Sequence, residues 1–390
     1  MIIQLREIVY TKDLSANVPL YGQEQCTWCG AASGQMARNG YPNPGDRLFY
    51  AQVDVWNTIQ AHNSTNSADT SANWASDPHG LTGCLQVLNN PAGVDWVEFV
   101  NADRNALLFD ILYWIDNRSF PSPVLINQGG HWVDIVGYVT DIKPVIGSAP
   151  TLQSISIHDP EPHNVGTSST FMADMWFNGP WNGAVMYSGT WLNKYVAVIE
   201  PPKERGNVRV RQVRRTGNKL ITPRQAVDFA RRWIRELGLD RQPKYAILNA
   251  DVAPSEPLVV QEGVRRQAKT VPHYYIVPFG FKHEVAERGA PLVRVCILLN
   301  AFTGAFEEIT TFGRPLRYLS REEALAVAAA AIRPSADDLK SAQVTLMFQP
   351  GDITHIRSYP FWSVTISKRT VYIDQLGKLY GKFLPSVPGD

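Results

Sequence analysis

The sequence predicts an α+β protein of two domains, and three observations carry the prediction. Charge changes sign along the chain: residues 1–200 hold 8 Lys/Arg against 18 Asp/Glu, and residues 201–390 hold 29 against 18. The change falls at EPPKERGNVRVRQVRRTGNK (200–219), a Pro-opened, Arg-rich stretch that reads as a linker. In the first half a small-residue helical run is followed, much later, by apolar strand-like runs; in the second half one helix followed by β-rich segments occurs twice. The expected boundaries are a first domain over 1–202, a basic linker over 203–218, and a second domain over 219–390 built from copies at about 219–312 and 317–390.

Bulk properties exclude several classes. At 390 residues the chain is long enough for separate cores. No apolar run approaches the roughly 18–20 residues that span a bilayer, so no membrane span is expected. The opening MIIQLREIVYTKDL lacks the ordered regions of a standard secretory signal. Four cysteines in 390 residues are too few for a disulfide scaffold. A cytoplasmic location, or export without a standard signal peptide, fits these features. The basic half lacks a nucleic-acid-binding motif, so nucleic acid is not an expected partner; intramolecular docking of the basic second domain on the acidic first is the simpler use of the charge.

Within the first half, YGQEQCTWCGAASGQM (21–36) introduces a helix starting near Cys29 and running to Gly40. Small residues over 30–34 let that helix pack closely. A thiol at a helix N-terminus sits at the positive end of the macrodipole, which favours the reactive thiolate. Residues 62–80 read as a polar loop, and residues 105–119 (NALLFDILYWIDNRS) as an apolar-faced helix. Two strands flank Gly129–Gly130 within SPVLINQGGHWVDIVGYV (122–139), and His131 opens the second. Glycine there allows a substrate backbone to approach the imidazole. In LQSISIHDPEP (152–162), period-2 alternation puts Ile155, Ile157 and Asp159 on one face, and Pro160 ends the strand. Trp176, Trp181 and Trp191 either line a cleft or belong to the core, and KYVAVIEPP (194–202) reads as a last strand.

These placements make a nucleophile–base–orienter set. Cys29 is the candidate nucleophile, His131 the base and Asp159 the group that orients it. Gln23, six residues before Cys29, can supply an amide donor to an oxyanion. Asp134 and His158 compete with Asp159 for the orienting role, and Gln25 competes with Gln23. Two other chemistries use the same thiols. A Cys26/Cys29 pair would serve a thiol–disulfide oxidoreductase, although the residues before it (NVPLYGQEQ) are broken by Pro19 and Gly22 and supply no preceding strand. A zinc site would add His158 and His163 to the two cysteines, without the usual second Cys-x-x-Cys or tight His pair. A non-catalytic peptide-binding protein on a peptidase scaffold is a third alternative.

QEQCTWCGAASGQM with GGHWVDIVGY and IHDP resembles the papain-like cysteine peptidases over roughly residues 15–200. The bacterial branches are the nearest: the double-glycine bacteriocin-processing peptidases and the papain-like effector peptidases of plant pathogens. The resemblance implies a papain-like two-lobed domain, hydrolysis of a peptide or protein substrate, and no metal or organic cofactor. It assigns Cys29 as nucleophile, His131 as base, Asp159 as orienter and Gln23 as oxyanion-hole donor. Gly30 follows the nucleophile as in the bacteriocin-processing group, Trp28 precedes it as in the effectors, and Cys26 belongs to neither pattern.

In the second half, ITPRQAVDFARRWI (221–234) aligns with LSREEALAVAAAAI (319–332). Each opens with a capping box, Thr222 with Gln225 and Ser320 with Glu323. Strand-like segments follow at 274–281 and 292–309, and again at 361–367 and 369–383. Each copy closes with Asn300 or Asp374 before a glycine turn at Gly304 or Gly377. No titratable cluster recurs between the copies, which points to a binding or regulatory module. The pattern resembles PepSY-type domains, which implies two small helix-plus-antiparallel-sheet units.

Overall fold

The computed structural model describes residues 9–41, 49–88, 94–200, 202, 206–213, 217, 219–263, 273–284 and 292–389. It is a mixed α+β structure in two compact units, Met1–Val213 with Val387–Asp390, and Arg214–Ser386. Among the described residues, no helix is long and apolar enough to cross a membrane.

The first unit contains, in order, β1 (Tyr10–Asp13), α1 (Cys29–Asn39), α2 (Gln52–His62), α3 (Ser67–Thr70), α4 (Pro78–Val87), β2 (Val97–Asn101), α5 (Arg104–Arg118), β3 (Ser122–Ile126), β4 (His131–Thr140), β5 (Thr151–Asp159), β6 (Thr167–Met172), α6 (Ala173–Asn178), β7 (Tyr195–Ile199) and β8 (Arg209–Val210). Its sheet runs β2–β7–β3–β4–β5–β6, with every neighbour antiparallel. β1 extends the β3 side of β4, and β8 adds a short parallel pairing to β5. β3 and β4 are almost wholly buried and accordingly read as continuous apolar runs. Helix α1 packs against α2, α4 and β4. All eleven of its residues are buried, which its glycines, alanines and Ser33 permit.

Four expectations need correction. The polar loop over 62–80 contains helix α3 and the start of α4, because the polar side chains there are caps: Asn66 accepts from Ala68 N–H and Asp77 from Gly80 N–H. Of the two placements open to Trp176, Trp181 and Trp191, the structure has the core one. The expected linker (203–218) lies partly outside the described residues, but residues 206–213 belong to the first unit, where Arg209 and Val210 pair with Thr151 and Leu152. The strand at 195–199 is correspondingly not the last, and residues 387–390, expected in the second repeat, also belong to the first unit.

The second unit contains α7 (Pro223–Glu236), β9 (Val252–Pro254), β10 (Leu258–Glu262), β11 (His273–Phe281), β12 (Val293–Asn300), β13 (Phe306–Leu316), α8 (Arg321–Ile332), α9 (Ala336–Lys340), β14 (Gln343–Phe348), β15 (Phe361–Ile366), β16 (Arg369–Ile373) and β17 (Leu379–Tyr380). Strands β13, β12, β11 and β10 are antiparallel neighbours, as are β14 to β17; a parallel β10–β14 pairing joins the sets.

The internal repeat is visible in equivalent hydrogen bonds. Both capping boxes are formed. The residue before each cap has its carbonyl held by an aromatic tip: Tyr275 Oη donates to Ile221 O, and Trp362 Nε1 to Leu319 O. Its N–H is also held in each copy, Ile221 by the Ala301 carbonyl and Leu319 by Gln375 Oε1. In the closing turns, Asn300 Oδ1 and Asp374 Oδ1 each accept two backbone N–H groups, and Gly304 and Gly377 adopt positive φ, +68° and +82°. Arg357 is buried between Glu262, at 2.9 Å, and Glu307, at 2.7 Å. That ionic cluster joins the two copies, Arg357 from the second to Glu262 and Glu307 of the first.

Candidate active site

Cys29 is the first residue of α1, preceded by Trp28, which provides no side-chain cap. The first N–H groups of the helix are thus left directed toward the thiol end. The approach to the helix is held by three contacts from α2: Gln52 Oε1 accepts from Glu24 N–H, and Gln52 Nε2 reaches Gly22 O and Gln35 Oε1. Gly22 is glycine for want of space, since a β-carbon there would stand 2.3 Å from Val165 N.

His131 opens β4 directly after the turn at Asn127–Gly129. Its Nε2 is 2.8 Å from Asp159 Oδ1, and both side chains are buried. Glu161 N–H also donates to that carboxylate oxygen, at 2.9 Å. With Nε2 engaged, the other ring nitrogen is left for the Cys29 thiol, to which the imidazole is also hydrogen-bonded. Burial alone would push the imidazole pKa down. The adjacent Asp159 carboxylate and Cys29 sulfur override it and hold His131 well above its usual value. Trp132 N–H donates to Cys29 Sγ at 3.3 Å, a third interaction favouring the charged sulfur.

Of the four residues selected from the sequence, Cys29, His131 and Asp159 come together through their side chains, and Gln23 joins them through its backbone. Gln23 is buried in the loop before α1, and its backbone is tied to the segment after Asp159: Gln23 N–H donates to Pro160 O and Asn164 N–H to Gln23 O, each at 2.9 Å. Its side-chain amide donates to the Cys26 carbonyl at 3.0 Å. An amide nitrogen has two hydrogens, so this bond occupies one of them. Gln25 is exposed.

The competing assignments separate on strand parity. Asp134 and His158 face each other across β4 and β5, on the face opposite His131 and Asp159. Asp134 is fully buried, neither carboxylate oxygen has a hydrogen-bond partner among the described residues, and burial pushes its carboxyl well above the usual range. Cys26, Cys29, His158 and His163 do not gather into a metal-binding group. His163 Nε2 is instead bound to the Glu24 carbonyl. Among the described residues the cysteines form no disulfide; Cys26 is exposed, and Cys84 and Cys296 are buried. Burial pushes the Cys84 thiol up to about 12, which makes it inert.

The wall beside the thiol escaped sequence reasoning. Trp132 Nε1 donates to Ser76 O at 2.9 Å, and a β-carbon on Gly30 would stand 2.5 Å from Ser76 Cβ and 3.2 Å from Trp132 Cδ1. Glycine at position 30 is therefore required by Ser76 and Trp132. Ser76 lies in the polar stretch between helices, where composition signals only a loop.

No protein-family model matches the chain, and no curated protein matches it. Among solved structures, the chain is similar to the Bacillus megaterium YpeB C-terminal domain at 13% identity and a TM-score of 0.17, over 72% of this chain and 95% of that one.

Proposed function

We propose that the first unit is a papain-like cysteine peptidase. The observation that carries this reading is the buried His131 imidazole, which bonds Asp159 through one nitrogen and the Cys29 thiol at the start of α1 through the other. In this reading the helices around α1 and the sheet bearing His131 are the two sides of a peptidase domain. Cys29 thiolate adds to a peptide carbonyl, and the oxygen that gains charge is stabilised by the N–H groups at the start of α1 and the second hydrogen of the Gln23 amide. His131, held protonated, gives its proton to the leaving amine, producing a thioester. A water molecule, deprotonated by His131, then attacks the thioester, which releases the acid and restores the Cys29 thiolate beside protonated His131. The duplicated second unit is assigned a binding or regulatory part.

The test is the shape of the pH profile for alkylation of Cys29 by iodoacetamide, mapped by mass spectrometry. A Cys29–His131 ion pair keeps the rate nearly level well below the ordinary thiol pKa of about 8.5, and His131→Ala should make it fall about tenfold per pH unit below that value. Identical profiles in the two proteins would refute the reading. Rapid, reversible Cys26–Cys29 oxidation would instead favour the oxidoreductase alternative.

A further inference from the structure

Residues 387–389 (Val-Pro-Gly) form part of the first unit, although a long stretch of chain separates them from everything they touch there. Pro388 and Gly389 are buried. Their backbone is hydrogen-bonded on both sides of the catalytic cysteine. Ala75 N–H donates to Pro388 O at 3.0 Å, and Gly389 N–H donates to Gly129 O at 2.8 Å. Just beyond these anchors, Cys29 Sγ donates to the Gly389 carbonyl oxygen at 3.5 Å.

The segment is a backbone turn at Pro388 and Gly389, fixed by main-chain bonds and with a carbonyl oxygen on the thiol. The Gly129 carbonyl that receives it belongs to the turn immediately before His131. Gly389 also fills a position that refuses any side chain. A β-carbon there would lie 2.1 Å from Ser76 O and 3.1 Å from Trp74 Cε3. Ser76 O cannot retreat easily, since it is the acceptor for Trp132 Nε1. The Trp74 ring is packed edge-on against Tyr187 and Trp191. Gly389 has φ +66°, which also disfavours other residues.

We infer that residues 387–389 are a built-in peptide ligand of the Cys29 site, and that the position filled by Gly389 admits only glycine. The inference deepens the peptidase reading, on which the naming of the occupied site as an active site rests; the occupancy itself rests on the contacts above. Ser76 and Trp74 are the specificity-determining elements, one through its carbonyl and the other through its ring. Peptide substrates must displace the segment.

The test is the absolute rate of Cys29 alkylation in the full chain at one fixed pH, wild type against Gly389→Ala. Expelling the segment should raise the rate about tenfold or more, by removing a pre-bound competitor. Adding acetyl-Ser-Val-Pro-Gly-amide to the variant should restore protection, and acetyl-Ser-Val-Pro-Ala-amide should not. A variant rate within about twofold of wild type overturns the inference, because an intramolecular occupant must lower access. An alanine peptide as protective as the glycine peptide overturns it as well. This readout is independent of the pH-profile test. A His131-dependent profile with no effect of Gly389→Ala leaves the peptidase reading standing alone; a His131-independent profile with faster labelling of the variant leaves the ligand and removes the peptidase.

Discussion

His131 Nε2 is 2.8 Å from Asp159 Oδ1, with the two side chains only 0% and 1% exposed. Water therefore screens this pair weakly, and the carboxylate sets both the orientation and the charge of the imidazole. Asp159→Asn keeps the shape and removes the charge. It should lower kcat/KM on a peptide substrate by about 10²–10⁴-fold, with the Cys29 alkylation profile moving toward that of an ordinary thiol.

The same pair links stability to pH. The folded-state pKa of His131 lies well above the unfolded value of about 6.5. Its contribution to stability is thus fully present below about pH 6.5 and is lost as pH rises through the folded value. The difference in urea midpoint between wild type and His131→Gln should be largest on the acid side and shrink as pH rises. A difference that grows with pH would contradict the assignment.

Gln23 tests the oxyanion assignment. Its amide already donates once, to Cys26 O, so a catalytic contribution uses the remaining hydrogen at the transition state. Gln23→Ala should reduce kcat about 10²–10³-fold with KM little changed. A rise in KM with kcat preserved would make Gln23 a structural clamp on the loop before α1.

The four thiols should differ sharply. Cys26→Ser should leave peptide hydrolysis intact, because Cys29 has its own partners in His131 and Trp132. Cys84, with its thiol pushed up to about 12, should resist alkylation near neutral pH until the protein is unfolded. Loss of function on Cys26→Ser would favour redox chemistry.

Packing around Gly30 makes a stability prediction. The β-carbon of Gly30→Ala would meet Ser76 Cβ at 2.5 Å, and relief requires Ser76 or Trp132 to move. A destabilisation of about 1–3 kcal/mol is expected in urea unfolding, together with impaired activity, because Trp132 N–H donates to Cys29 Sγ. In the second unit, Thr222→Ala and Ser320→Ala should each cost about 1 kcal/mol, since each removes one side of an intact capping box.

The sequence by itself determined the local geometry of the candidate site and the existence of the repeat. Helix α1 begins at Cys29 and closes at Gly40, β4 begins at His131, and β5 ends at Asp159 before Pro160. Each of these follows from signals within a few residues: small-residue runs, glycine turns, alternation and proline. Parity along β4 and β5 then separates Asp159 from Asp134 and His158. The capping boxes at Thr222 and Ser320 are local for the same reason. Tertiary structure alone decided what encloses the thiol. Ser76, Trp74, Gly129 and Gly389 meet there from distant parts of the chain, and their roles are played by backbone carbonyls, N–H groups and the absence of a β-carbon. Those groups are nearly the same in every residue, so side-chain pattern cannot announce them; only the folded path of the chain brings them into contact.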